Sequence, residues 1–438
     1  DLDRVPLREA GMAPAEILVS ESQERMLAVV EPARVEEVVA LCTRWELEAS
    51  DIGEVTDTGN FTASHGGEVV VDIPASALTD DAPVYTVPVD PAPAPAPLDL
   101  AAVAAPADIS AAWLELLGRP NVASKRWVYG QYDHLVGANT IRRPGGDAAV
   151  VRLPGMDRAI AITTDCAERH CELDPRAGGA AAVLEAARNV ACTGARPMAA
   201  TDCLNFGNPE KGATGWRLTE VVEGMSQALE ALGVPVVSGN VSLYNESPGR
   251  VIYPTPVIGM IGLLEHAADS VGHAFQDEGD MVLLLGAGDP RLDASDWLGR
   301  AEGRPPAPDI AAEAALVEAL VRLADARLLR SAHDVAGGGV ATALAESAMA
   351  GGVGCTVDVP DGRRPDEALF GECGGRVVVT CRPGDADAVR AAAGPVPVTA
   401  LGTVGGAEVV ARTGGTTARV AVQAAREAYE RTIPEALA

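Results

Sequence analysis

Along residues 147–264 the apolar positions switch between the two-residue period of a strand and the wider spacing of a helix. "DAAVVRL" (147–153) and "AIAITTD" (159–165) read as strands, and "GGAAAVLEAARNVACTG" (178–194) as an alanine-rich helix that begins and ends at glycines. "MAATDCLNF" (198–206) is a strand entering a loop, and "LTEVVEGMSQALEALG" (218–233) is a second helix. In "VPVVSGNVSLYN" (234–245) a buried strand meets Ser238, Gly239, Asn240 and Ser242, small polar groups where the strand should end. The apolar strand "TPVIGMIGLL" (255–264) closes this block. A later block opens with "MVLLLGAG" at Met281, carries helices over 309–326 and 337–352, and ends in the strands "GGRVVVTC" and "VPVTALGTV". This is α/β or α+β architecture.

The clearest break is "PVDPAPAPAPLDLAAVAAPADIS" (88–110), where alternating Pro and Ala favour an extended spacer. The expected domains are residues 1–87, a Pro/Ala-rich linker over 88–119, and blocks at 120–268 and 269–438. The front segment repeats part of the last block. When "LVSESQERMLAVV" is laid on "LFGECGGRVVVT", Leu18 meets Leu369, Glu21 meets Glu372 and Arg25 meets Arg376, each copy running into a strand. "DIGEV" (51–55) then meets "ALGTV" (400–404). The later copy has about 90 residues between its opening strand and Glu372, whereas only twenty precede Glu21. The chain is therefore expected to begin inside a domain, as the rear portion of a longer protein or one half of a split one.

Composition narrows the function classes. The 438 residues are 47% hydrophobic but only 3% aromatic, so the cores must be aliphatic. No run of uncharged apolar residues is long enough to span a bilayer. A net charge of −28 argues against non-specific nucleic-acid binding, which needs cations to neutralise phosphates, and suits a cytosolic protein. None of the eight cysteines has CxxC spacing, which predicts reduced, mostly buried thiols.

Four clusters of small and acidic residues follow strands in the middle block: Asp147 after two glycines; Asp165 in "TTDC"; Asp202, Asn205 and Asn208 in "TDCLNFGNPEKG"; and Gly239, Asn240 and Ser242. Oxygen donors suit Mg²⁺, and glycine lets backbone N–H groups approach phosphate oxygens. The pattern predicts a phosphate and Mg²⁺ site that is neither a P-loop nor a Rossmann fingerprint. Glu21, Ser22 and Gln23 pack three hydrogen-bonding side chains just before a strand. The six histidines show no metal spacing and carry no catalytic assignment, and Asp334 in "HDVAGGG" is expected to cap a helix.

"ESQERMLAVVEP", "NVASKRWVYGQYDHLVGANT", "GGAAAVLEAARNVACTGARPMAATDCLNFGNPEK" and "VVSGNVSLYNESPGRVIYPTPVIGMIGLLE" together resemble the formylglycinamidine ribonucleotide synthases, at the large synthetase component of the multi-subunit form. The resemblance implies a tandem repeat of aminoimidazole ribonucleotide synthetase-like N- and C-domains, with the first repeat truncated at its N-terminal side. It implies ATP-dependent conversion of formylglycinamide ribonucleotide and glutamine-derived ammonia, through an iminophosphate, in purine biosynthesis. Glu21, Ser22, Gln23 and Ser242 match substrate contacts, Asp202 and Gly239 match ATP contacts, and Asn240 matches a Mg²⁺ ligand. Asp147 and Asp165 are similar to acidic Mg²⁺ positions of related enzymes. The implied partners are a glutaminase subunit, a small bridging subunit and a missing N-terminal half, which would hold the catalytic histidine. Two other readings stay open: another ATP-dependent synthetase of the same superfamily, or a non-catalytic nucleotide-binding or scaffold half.

Overall fold

Pro14 opens the first helix, α1 (Pro14–Val19), where its fixed φ suits the first turn; Glu16 accepts the Ala13 N–H at 2.7 Å. α2 (Val35–Arg44) follows, and then β1 (Asn60–His65) and β2 (Glu68–Pro74) form an antiparallel hairpin through Gly66 and Gly67, both at positive φ. These elements lie in one of two units, Asp1–Thr86; the other is Val87–Ala438. The computed structural model describes every residue except 22, 23 and 361.

In the second unit, Asp108 accepts the Ser110 and Ala111 N–H groups and starts α3 (Ile109–Leu117), within the stretch expected as a spacer. Its Trp113, Leu116 and Leu117 are fully buried. Next come α4 (Arg126–Tyr129), β3 (Thr140–Arg142), β4 (Ala149–Arg152), β5 (Ala159–Asp165), α5 (Glu168–Leu173), α6 (Pro175–Cys192) and β6 (Arg196–Asn205). α7 (Gly212–Leu232), β7 (Val236–Ser242), the two-residue strands β8 (Glu246–Ser247) and β9 (Arg250–Val251), and β10 (Thr255–Leu264) follow. The first large sheet has the order β3-β4-β5-β10-β6-β7, with only β6 and β7 parallel.

The remaining elements are β11 (Met281–Gly286), α8 (Ile310–Asp325), β12 (Ser331–Asp334), α9 (Gly339–Gly351), β13 (Cys355–Asp358), α10 (Pro365–Phe370), β14 (Arg376–Cys381), α11 (Ala386–Ala393), β15 (Val398–Val404), β16 (Glu408–Thr413), β17 (Thr416–Ala421) and α12 (Val422–Leu437). They build a second sheet of order β12-β14-β11-β15-β13-β16-β17, antiparallel except at β13/β16.

One core joins the first sheet, α6, α7 and α8 to the face of the second sheet that carries Leu283, Leu285, Val377 and Val379. The other face, with Val282 and Val378, packs under α3, α9 and α12. Burial on both faces is why "MVLLL" and the "VVV" of β14 are unbroken apolar runs. β10 instead alternates, burying Ile258, Met260 and Leu264. α6 and α7 touch backbone to backbone: a Cβ on Gly179 would lie 2.4 Å from Val221 O, and one on Gly224 only 1.9 Å from Arg176 O. Among the described residues no helix is long and apolar enough to cross a membrane.

Three sequence expectations need revision. α6 begins at Pro175, ahead of the glycines, because Asp174 accepts the Ala177 N–H at 3.1 Å. β7 does not end at Ser238 but runs to Ser242, since an exposed edge strand draws its ladder bonds from the backbone and tolerates polar side chains. Residues 25–31 form no strand, and Met26, Leu27 and Val29 are 80–90% exposed. Their counterpart β14 lies between β11 and β12, whereas the described strands of residues 1–86 pair only with each other.

Candidate functional site

Strand register decides which candidate residues share a face. Ile258 stands opposite both Asp165 and Asp202, and Asp202 stands opposite Gly239. Paired residues project to the same side, so Asp165, Ile258, Asp202 and Gly239 form a row across four strands. Ile258 is buried beneath the helices, which places the row on the helix-covered face. A Cβ on Gly239 would lie 2.9 Å from Asp202 Oδ2. Partial burial raises the Asp202 pKa, opposed by a hydrogen bond from the Asn240 backbone.

Asn240 and Ser242, opposite Cys203 and Asn205, project from the other face. The structure thus groups Asp202 with Gly239 and Asn240 with Ser242, on opposite sides of one edge. Asn245 Nδ2 donates to Ser242 Oγ at 3.1 Å and to Phe206 O at 3.1 Å, fixing the turn after β7. Asn205 Nδ2 donates to Cys203 O, and Asn208 Oδ1 accepts the Glu210 N–H, so both serve the local backbone. Glu21 is exposed in the Asp1–Thr86 unit; Ser22 and Gln23 lie outside the described residues. The repeat counterpart Glu372 accepts the N–H groups of Asp296 (2.8 Å) and Gly338 (2.7 Å). Burial and the Asp296 charge raise its pKa to about 8.

The Val87–Ala438 unit also holds an open cleft of about 1450 Å³, lined by Asp147, Asp165, Glu185, His333, Asp334 and Glu346 among others. Gly146 lets Asp147 enter, because a Cβ there would lie 2.5 Å from His273 Nδ1. The Asp147 carboxylate accepts the Asp334 N–H at 2.7 Å and meets His333 Nδ1 at 2.9 Å. His333 Nε2 meets Glu346 Oε2 at 2.9 Å, and the Tyr429 hydroxyl donates to Glu346 Oε1 at 2.8 Å. Burial alone would discharge His333, but Asp147 and Glu346 outweigh it and hold the imidazole well above its ordinary pKa. Burial likewise opposes ionisation of Asp147 and Glu346, and His333 reverses this, leaving both lowered.

On α6, Arg188 binds two acids. Its Nε and Nη2 donate to Asp334 at 2.7 and 3.2 Å, and its Nη1 to Glu313 Oε2 at 2.7 Å, with all three residues buried. Asp334 therefore does not cap α9, whose N-cap is Gly338, at φ 75° and with no side-chain cap. Nearby, Thr163 and Asn189 donate to Asp165 at 3.0 and 2.8 Å. Burial raises Asp165 to about 7 and raises Glu185 well above its ordinary value; each acid adds to a local field that includes Asp334. Among the described residues no group of three or more His, Cys, Asp or Glu side chains is placed to hold a metal ion.

The sequence reading missed the Asp147–His333–Glu346–Tyr429 chain and the Arg188 clamp. Histidine spacing could not reveal the chain, whose members come from β12, α9, α12 and the loop before β4. The clamp had a signal, since Glu185 and Arg188 are charges on an otherwise Ala-rich helix.

The two sheets and their helices place the chain among the AIR synthase related proteins. The N-terminal domain of that class matches residues 145–264, and the C-terminal domain matches residues 1–66 and 277–414, as the internal repeat requires. Similar relatives are the phosphoribosylformylglycinamidine synthase subunits PurL of Moorella thermoacetica (46% identical, covering 95% of this chain and 58% of the relative) and of an Anaeromyxobacter species (46%, covering 92% and 56%). The chain belongs to the AIR synthase related proteins and is similar to these PurL subunits over nearly its whole length, while spanning a little over half of theirs. Among solved structures it is similar to T. maritima PurL complexed with ATP (TM-score 0.60, 25% identity, 92% of this chain and 59% of that one). It is also similar to PurLQS from Thermotoga maritima (TM-score 0.60, 27% identity, 92% and 59%).

Proposed function

We propose that this chain supplies part of an ATP-dependent synthetase that converts formylglycinamide ribonucleotide and ammonia to formylglycinamidine ribonucleotide in purine biosynthesis. The observation that carries the reading is its likeness, at 46% identity across nearly the whole chain, to subunits named for that synthase. In this reading ATP phosphorylates the substrate amide oxygen, and ammonia from a glutaminase subunit displaces phosphate from the iminophosphate. A small bridging subunit completes the complex in the cytoplasm.

Asp202 and Gly239 contact ATP from the helix-covered face of the β6–β7 edge, where the absent Cβ lets the carboxylate lie against the glycine. Asn240 projects from the other face of this edge strand, so ATP would have to reach round the exposed β7 edge for a Mg²⁺ held by the Asn240 amide oxygen to neutralise charge on its transferring phosphoryl group. Ser242, held by Asn245, is a substrate contact in its unit; the family likeness gives the same kind of role to Glu21, Ser22 and Gln23. The protein's task is placement and electrostatics rather than nucleophilic attack.

The test combines the chain with the N-terminal remainder of a full-length relative and supplies formylglycinamide ribonucleotide, Mg-ATP and ammonia. Product and ADP should form in equal amounts, and Asn240→Ala should slow both by about tenfold or more. The chain alone should not turn over. ADP release that ignores the ribonucleotide would overturn the reading in favour of another synthetase or a nucleotide-binding half.

A further inference from the structure

A second cavity, of about 340 Å³, shares no lining residue with the large cleft. Its wall carries four arginines, Arg142, Arg327, Arg330 and Arg382, although the chain has 34 basic residues against 62 acidic ones. Asp269 is the one acidic lining residue among those described, and Arg327 already holds it at 3.0 Å. Arg330 pairs with Asp277 and with Asp280 (3.5 Å), and Arg382 lies 3.8 Å from Asp385.

Arg142 differs from the other three. At the end of β3, its Nη2 donates to Ser270 O at 2.6 Å and its Nε to Ser270 Oγ at 3.3 Å. No carboxylate pairs with it among the described residues, and its Nη1 has no hydrogen-bond acceptor there. Burial lowers its pKa with no opposing charge. Gly272 lies directly against it, since a Cβ there would sit 2.7 Å from Nη1. A partly desolvated guanidinium without a counter-ion is costly, and a fork anchored along one edge presents the other for bidentate recognition of an oxyanion.

We propose that this cavity is a binding site for a small phosphate monoester, with Arg142 as the fixed fork on the phosphate and the exposed Arg327 and Arg382 closing over it. The volume is at the small end of ligand pockets, too large for a bare phosphate ion and suited to a compact phosphorylated metabolite. The site is independent of the proposed synthetase reaction, so it is tested by binding rather than turnover.

The measurement is calorimetric titration of the full chain with ribose 5-phosphate and with inorganic phosphate, at matched ionic strength. Ribose 5-phosphate should bind at one site and more tightly than inorganic phosphate. Arg142→Gln should weaken binding about tenfold or more, equivalent to about 1.4 kcal/mol. Arg143→Gln, the adjacent residue that lines the other cleft, should leave the affinity unchanged. Because Arg142 also ties down Ser270, the exposed Arg382→Gln provides a second variant: its melting temperature should stay the same while affinity falls several-fold. No saturable binding up to about 10 mM, or affinities that follow Arg143 rather than Arg142 and Arg382, would overturn the proposal. Binding of inorganic phosphate with exclusion of the ester would overturn the monoester assignment.

Discussion

Asp202 and Gly239 stand opposite each other on parallel strands, and the carboxylate occupies the space beside the position of a missing Cβ, 2.9 Å away. Gly239→Ala would push a side-chain carboxylate rather than backbone. Stability should therefore change by less than about 1 kcal/mol, while the carboxylate is displaced. In the reconstituted synthetase, Mg-ATP affinity should fall about fivefold, read by titration beside a melting curve. Unchanged affinity would remove Asp202 from the ATP site.

Arg188 neutralises Asp334 and Glu313 in the core. Arg188→Met leaves two buried acids without their cation and should cost about 3–5 kcal/mol in urea unfolding. Adding Asp334→Asn and Glu313→Gln should recover part of that loss, because the penalty comes from the stranded charges. Full additivity of the three changes would contradict the clamp.

His333 should carry its proton at neutral pH, since Asp147 and Glu346 raise its pKa well above the ordinary value. A raised folded-state histidine pKa gives stability that is complete below about pH 6.5 and is lost as pH climbs through the folded value. The lowered Asp147 works at the other end: its contribution is lost as pH falls through its folded value. Asp147→Asn should lower the His333 pKa by about one unit or more, read from the imidazole NMR signals.

Glu372 works in the same sense as His333 and opposite to Asp147. With a folded value of about 8 against an ordinary 4.5, the native state keeps a proton that the unfolded chain has lost. Its contribution to stability therefore falls as pH rises from about 4.5 to 8 and is flat beyond, with a slope of at most about 1.4 kcal/mol per pH unit. Glu372→Gln should flatten unfolding free energy over that window. An unchanged slope would show that the two backbone N–H donors keep Glu372 ionised.

Periodicity was a sound guide where the pattern was local. The strands at 159–165 and 255–264 match β5 and β10 residue for residue, because side-chain alternation follows directly from the pleat. Helix starts were less legible: Asp174 and Pro175 outweighed the glycines in opening α6. The same polar cluster that looked like the end of a strand became the body of β7, since an edge strand needs no apolar side chains.

By itself the sequence determined the alternation of strands and helices, the repeat linking Glu21 with Glu372, and the acidic, glycine-rich residues near the strand ends. Only the tertiary structure decided how those residues combine. Register put Asp202 with Gly239 on one face and Asn240 with Ser242 on the other, and packing joined Asp147, His333, Glu346 and Tyr429 from three separate elements and a loop. The repeat shows the limit most clearly: β14 is a buried strand and residues 25–31 are not. Local pattern sets which backbone conformation a segment can adopt, whereas a ladder or a buried ion pair also needs a partner that the chain brings from far away.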